Sequence, residues 1–334
     1  MSVTEITVVT GSHAHCRSAC AHRIARRLDG IRFAPVSLSG HDDSAAALER
    51  AIEARTGAHM VIELPAGAAI DAAIGTLEAE PDVTITETVC VIDASAFFTD
   101  LLVDDYVSVA GTNPILYVAR ALRTVQCVEH ASTILVAEWD DVETRDLSML
   151  LAVLSHLAPA ARLRLEREVD DAPPAPFSMR RHQPGWVHLL NGDHRPHMTD
   201  LRVSAFRYEQ MRPFHPVRLH ELLETSFGGG AFGAVLRSAG FCRLASRPGV
   251  VGSWDQVGQM ISLEPLTRDE QGQSELLALG QDIGFIGIDL DADALTTALD
   301  RATLSDAEFT AGLREWARFA DPFPRWDAGV ETTD

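Results

Sequence analysis

Lysine is missing altogether from this chain of 334 residues, and all 28 of its basic side chains are arginine. Any role that needs a lysine amine is therefore closed, because a planar guanidinium does not replace a compact ammonium. Positive charge is scarce in general: 48 acidic residues give a formal net charge of −20. A surface this acidic repels phosphate backbones and excludes direct, non-specific nucleic-acid binding, although a local basic patch docking on a particle stays open. Cysteine is sparse. Cys16, Cys20, Cys90, Cys127 and Cys242 are odd in number and scattered, which predicts reduced thiols and no disulfide framework. No apolar run is long enough to cross a bilayer, and the opening MSVTEITVVTG has no basic n-region or cleavage site. A membrane partner is not expected, and a cytoplasmic location is.

What is present suits a globular chain of two domains, with 46% hydrophobic and 23% charged residues. Short β-branched runs at 5–10, 59–64, 88–93 and 132–139 alternate with alanine-rich helical stretches, including 44–56 and 143–157. Strands alternating with helices predict a mostly parallel α/β sheet covered on both faces, over residues 1–168. Residues 169–185 turn acidic, then proline-rich, then basic without periodicity, and 169–200 reads as a histidine-containing linker. From 201 to 304 the pattern is strand (LRVSAFRYE), helix after Pro216, strands GAVLRSAGFCRLAS, VGSWDQVGQMISLEP and IGFIGIDL, then helix. This β-α-β-β-β-α order predicts a smaller α+β domain, an antiparallel sheet with helices on one face. The tail 305–334 carries aromatics expected to dock before the chain frays.

The first strand runs into Gly11-Ser12-His13-Ala14-His15-Cys16-Arg17-Ser18 and then a helical pattern. A strand, a glycine-rich loop and a helix N-terminus make a phosphate cradle in the pattern G-x-x-x-x-G-K-[ST]. Against that pattern Gly11 and Ser18 match, Cys16 stands at the second glycine and Arg17 at the lysine. Any β-α turn begins this way, but the first strand of a parallel domain is where a P-loop belongs. A second reading uses the new residues: His13, His15, Cys16 and Cys20 are soft-metal ligands within one short window, with the cysteines one helical turn apart. A repacked loop without function is the alternative, since the spacing matches no common zinc motif.

The C-terminal half carries a more specific pattern. Pro184-Gly185-Trp186-Val187-His188-Leu189-Leu190-Asn191-Gly192-Asp193-His194 precedes Ser204-Ala205-Phe206-Arg207-Tyr208 and Arg212-Pro213-Phe214-His215-Pro216-Val217-Arg218-Leu219. Val235-Leu236-Arg237-Ser238-Ala239-Gly240-Phe241, Leu244-Ala245-Ser246-Arg247-Pro248, Trp254 and Ile286-Gly287-Ile288-Asp289 follow in order. This series resembles the CobW family, nearest its zinc-associated branch. The resemblance implies a P-loop GTPase domain over the first half, with GTP and magnesium as cofactors and zinc as cargo for a client metalloprotein. It also implies site residues. Gly11, Arg17 and Ser18 fall on the phosphate loop, Glu63 on the magnesium-site strand, and Asp140 on the guanine-reading N-K-x-D, where Ala137 and Glu138 replace asparagine and lysine.

Each departure from the family pattern removes a contact. The phosphate lysine, the guanine-holding asparagine and lysine, and the family's Cys-x-Cys-Cys metal motif are all absent. Weakened GTP binding with little or no hydrolysis follows, and no catalytic residue is assigned. Six histidines fall between 182 and 220. His188, His194 and His197 form the best zinc-binding subset, against the plainer reading of a capping, solvated loop. His215 reads as a helix cap or hydrogen-bond donor with Pro216 at the first helical position. Arg212, Arg218 and Arg237 read as solvated surface arginines, and Trp186, Trp254 and Trp326 as packed anchors. Three functions compete: a zinc-homeostasis protein with a weakened nucleotide site, a pseudo-GTPase adaptor binding a protein or ribosomal partner under zinc limitation, and a zinc sensor built on His13, His15, Cys16 and Cys20.

Overall fold

A computed structural model of the chain describes residues 3–28, 31–33, 44–53, 57–103, 105–109, 116–167, 173–227, 230–269 and 280–326. The chain divides into two compact units, residues 1–185 with 195–200, and residues 186–194 with 201–334. Among the described residues no helix is long and apolar enough to cross a membrane.

The N-terminal unit runs β1 (Thr4–Thr10), α1 (Ala14–Arg27), β2 (Ile31–Phe33), α2 (Ser44–Glu53), β3 (His59–Glu63), α3 (Ile70–Ala79) and β4 (Val83–Asp93). It continues with α4 (Phe97–Leu102), the hairpin β5 (Tyr106–Val109) and β6 (Leu116–Ala119), α5 (Arg120–Glu129), β7 (Thr133–Ala137), α6 (Thr144–Leu157) and β8 (Arg162–Leu165). Six strands form one sheet in the order β2-β3-β1-β4-β7-β8, and every pairing in it is parallel. Side chains alternate across each strand, so both faces need cover. Ile6, Val8, Met60 and Ile62 pack under α2 and α3, while Val9, Val61, Val89 and Leu135 pack under α1. The chain turns from β3 on one side of β1 to β4 on the other, and the crevice at the strands' C-terminal ends is where parallel sheets place ligands.

One irregularity matters to the chain beyond β8. The register of β1 against β4 slips between Ile6 and Thr7, leaving Thr86 outside the ladder. The Thr86 carbonyl accepts the Phe177 N–H at 3.1 Å. Beside it, buried Glu87 accepts the Thr133 hydroxyl at 2.6 Å and the Ala175 N–H at 3.0 Å. His182, also buried, stacks on Phe177 with ring centroids 5.6 Å apart. Part of the proline-rich stretch read as linker is thus fastened to the sheet by a bulge and a buried carboxylate. Within the same stretch, α7 (Gly185–Asn191) supplies a helix that proline and glycine had masked.

The C-terminal unit contains β9 (Val203–Gln210), α8 (Pro216–Leu222), β10 (Ala234–Cys242), β11 (Val250–Val257), β12 (Met260–Arg268), β13 (Gln281–Ile288), α9 (Ala292–Ala302), α10 (Asp306–Ala311) and α11 (Leu313–Trp316). Its sheet is antiparallel, in the order β12-β11-β10-β13-β9. The segment VGSWDQVGQMISLEP, expected as one strand, is a hairpin: Val257 pairs with Met260, and Gly258 takes φ +56° at the first turn position. A two-residue turn needs that left-handed conformation, which glycine supplies cheaply. The core joins Tyr208, Phe214, Phe285 and Trp254 to Leu219 of α8 and Leu295 and Leu299 of α9.

Arginines read as surface groups turn out to be internal ties. Arg237 is buried, pairing with Asp255 and donating to the Ser238 and Gln256 carbonyls. Arg212 donates to the Leu304 carbonyl and pairs with Asp306. Arg218 holds the Thr303 carbonyl at 2.7 Å and both oxygens of Glu308, at 3.0 and 2.7 Å. His215 is the residue before α8, with Pro216 at the first helical position as expected, but its ring makes no cap bond and lies tilted against Phe319, with ring centroids 4.5 Å apart.

The hydrogen bonds from Arg218 hold the Glu308 carboxyl well below its ordinary 4.5, at about 2. A depressed folded-state value stabilises above the unfolded one and is lost as pH falls through the folded one. The Arg218–Glu308 tie is therefore expected to contribute in full above about pH 4.5 and to vanish near pH 2. The contribution for this partly exposed charged pair is on the order of 1–2 kcal/mol. Acid titration of thermal stability for the wild type and Glu308→Gln checks it. The two curves should converge as pH falls, and a constant separation would contradict the assignment.

Candidate functional site

In a parallel sheet every strand ends on the same edge, so β1, β3, β4 and β7 deliver Gly11, Glu63, Asp93 and Glu138 to one rim. Gly11 takes φ +142°, and a Cβ there would lie 2.3 Å from the Val91 carbonyl oxygen, so the position requires glycine. The chain then needs only Ser12 and His13 before α1 begins at Ala14. This is the main departure from the phosphate-loop expectation. Ala14, His15 and Cys16 are helical and not loop residues, and the Arg17 N–H is already spent on the His13 carbonyl at 3.0 Å. The longer arch of loop amides found in a phosphate loop does not form in this stretch, and only the first-turn amides of α1 are left without a partner inside the helix.

Arg17 turns inward. Its Nη1 donates to the Gly11 carbonyl at 2.6 Å and its Nε to Glu63 Oε1 at 3.2 Å. The Ser18 hydroxyl donates to the same carboxylate oxygen at 2.5 Å. Arg17 is 6% exposed and Glu63 2%. Burying a guanidinium and a carboxylate this deeply is costly unless they meet directly, and here each supplies the other's partner. The structure brings Gly11, Arg17, Ser18 and Glu63 together. They bond to one another, and the donor set does not fit a magnesium-bound nucleotide: the hydroxyl and the carboxylate oxygen it would use are paired.

The guanine-side residue stands apart from that cluster. Ala137 is buried at the end of β7, Glu138 is exposed with φ +51°, and Asp140 is exposed two residues on. Trp139 fastens this turn through its indole N–H to the Glu166 carbonyl at 2.9 Å.

Of the proposed zinc ligands near the N-terminus, Cys16 and Cys20 face the core with Val9, Val89 and Leu135. His15 is exposed on the helix. His13 Nδ1 sits 3.1 Å from the Ser12 hydroxyl, which donates to Asp100 at 3.0 Å. His188 Nδ1 bonds Asp193 at 2.9 Å, and His197 Nδ1 lies 3.1 Å from Ser155 Oγ. His188 and His194 fall in the C-terminal unit and His197 in the N-terminal one. Among the described residues no three histidine, cysteine or carboxylate groups converge as a metal site. Helical periodicity explains the N-terminal case, because a residue five positions from Cys20 cannot share its buried face unless the loop stays open.

Two more residues stand at the rim, Asp93, whose Val91-Ile92-Asp93-Ala94 stretch matches a strand ending of the CobW family, and Asp100, which carried no signal. Asp93 accepts both the backbone N–H and the hydroxyl of Ser95, at 2.9 and 2.7 Å. Asp100 meets Ser12 across 88 residues of sequence. Burial pushes the Cys16 thiol up, with Asp93, Glu138 and Glu166 adding to the rise, and burial pushes Cys20 up to about 12. Both thiols are therefore protonated at neutral pH. In the folded protein, neither is expected to react with Ellman's reagent at pH ~8 on the time scale of minutes, and all five cysteines should react after denaturation. Rapid native-state labelling of Cys20 would contradict the packing described.

Comparison with known proteins places the following beside this geometry. Residues 203–303 match the family model described as the cobalamin synthesis protein cobW C-terminal domain. The curated protein named zinc-regulated GTPase metalloprotein activator 1, from Dictyostelium discoideum, is 27% identical over 222 residues, 58% of this chain. The match spans 46% of that protein's length. Two solved structures, the Zn(II)-bound YjiA GTPase from E. coli and a Zn(II)-bound triple mutant of it, are each 14% identical and cover 91% of this chain and 100% of their own. Their TM-scores are 0.38 and 0.40.

Proposed function

Since residues 203–303 are a CobW C-terminal domain, we propose that the chain is a zinc-homeostasis protein of metallochaperone type, acting on a client metalloprotein, that holds GTP weakly and hydrolyses little or none. The relationship to a zinc-regulated GTPase metalloprotein activator supports the setting. The observation that carries the weakened-nucleotide part is the pairing of Arg17 and Ser18 with Glu63.

Binding a magnesium nucleotide here would require breaking a buried ion pair and bringing a polyanion to a rim bearing Asp93, Glu138 and Asp140. No ammonium is available to bridge the outer phosphates, and no asparagine stands at Ala137 to hold guanine. With ~1–3 kcal/mol for each charged hydrogen bond left unmade, three such losses weaken binding by several decades. Hydrolysis depends further on aligned lysine and magnesium and falls with them. The same pairing favours the second reading, a pseudo-GTPase adaptor that keeps the scaffold and works through a protein or ribosomal partner.

Calorimetric titration of the purified, metal-stripped chain with Mg-GTP, using GDP and ATP as controls, tests the proposal. The expected result is no saturation below ~1 mM, equivalent to roughly 4 kcal/mol of affinity. Saturable micromolar binding with GTP preferred over ATP would sink it and restore an ordinary nucleotide switch.

A further inference from the structure

A cavity of about 510 Å³ opens in the C-terminal unit between the end of β12 and the chain beyond α11. Its floor is apolar, made by Val250, Pro265, Phe323 and Trp326. The floor is also fixed. The Trp326 indole donates to the Leu263 carbonyl at 2.7 Å and lies over Gly252, where a Cβ would come within 2.7 Å of the ring. Arg247 forms one wall. It holds Asp321 at 2.8 and 3.1 Å, donates to the Phe323 and Pro324 carbonyls, and lies 4.2 Å from the Trp326 ring centroid. That wall is electrically balanced and already assembled.

Arg268 and Arg325 complete the lining, and both are exposed. Among the described residues neither guanidinium has a hydrogen-bond or ion-pair partner, unlike Arg207, Arg218, Arg237, Arg243 and Arg247 of the same unit. Two arginines without partners among the described residues thus flank an apolar floor. A cleft edged by charge of one sign focuses its field on a ligand of the other, so this spot favours an anionic group against the repulsion of the chain's net charge of −20. A small oxyanion would satisfy the arginines and leave the floor uncovered. An added β-strand is disfavoured as well: β12 is an edge strand, but Pro265 within it has no N–H to offer. Side chains must hold the occupant.

We propose that this cavity docks an acidic segment of a partner protein, with its carboxylates on Arg268 and Arg325 and an apolar side chain on the Phe323–Trp326 floor. The docking does not depend on the nucleotide reading and survives or fails separately from it.

The probes are a synthetic peptide with glutamates flanking one phenylalanine, its glutamine counterpart, its alanine-for-phenylalanine counterpart, and inorganic phosphate, each titrated calorimetrically into the whole chain. The glutamate peptide should bind, and more weakly as salt rises. The glutamine and alanine counterparts should each bind at least ~10-fold more weakly, about 1.4 kcal/mol. Arg268→Glu with Arg325→Glu should reduce binding at least as much without moving the unfolding midpoint, because both side chains are exposed. Four outcomes would overturn the proposal: no binding of the glutamate peptide, equal binding of the glutamine peptide, undiminished binding by the double variant, or binding insensitive to phenylalanine and displaced by phosphate, which identifies a small-oxyanion site.

Discussion

Arg17 reaches Glu63 across the end of the parallel sheet, and much of the N-terminal unit's rim follows from that contact. The pair is buried, and a buried charge without its partner costs several kcal/mol, so each side chain fixes the other in place. The tie to the Gly11 carbonyl draws the start of α1 against the end of β1. A two-residue turn results, and Cys16 and Cys20 fall on the buried face of a helix that starts early. One electrostatic constraint therefore accompanies both the short turn after β1 and the burial of Cys16 and Cys20.

An all-arginine complement shapes the other unit in a different way. Arginine presents a planar fork that suits two-point contact with carboxylates. Arg207 with Asp282, Arg218 with Glu308, Arg243 with Asp269 and Arg247 with Asp321 all use it. Two of these forks, from Arg218 and Arg247, hold segments that follow α9, and the other two tie β9 to β13 and the loop after β10 to the end of β12. Among the described residues Arg268 and Arg325 are not spent in this way, and both line one cavity.

The parallel and antiparallel sheets were legible in the sequence because buried strands announce themselves as β-branched runs at regular spacing. The hairpin turn between Val257 and Met260 was not legible, because a single glycine inside a strand pattern reads equally as a bulge. The helix at Gly185–Asn191 was obscured by the prolines before it. Motif comparison identified Gly11, Arg17, Ser18 and Glu63, but spacing alone cannot say whether a side chain faces a ligand or its neighbour. That depends on where α1 begins, a matter of tertiary ties between residues 46 positions apart. Asp100 was invisible for the same reason, since its contact with Ser12 spans most of the unit's sheet connections.

The most direct measurement of the central claim is a double-mutant cycle on Arg17→Met and Glu63→Gln, read by urea unfolding of the whole chain. Each single change should cost about 3–5 kcal/mol, because it leaves one buried group unanswered. The double change should cost less than the sum by roughly 2 kcal/mol or more, the mark of directly coupled residues. Additive costs, or single costs near zero, would mean that Arg17 and Glu63 do not hold each other and that the cradle is open to a ligand after all.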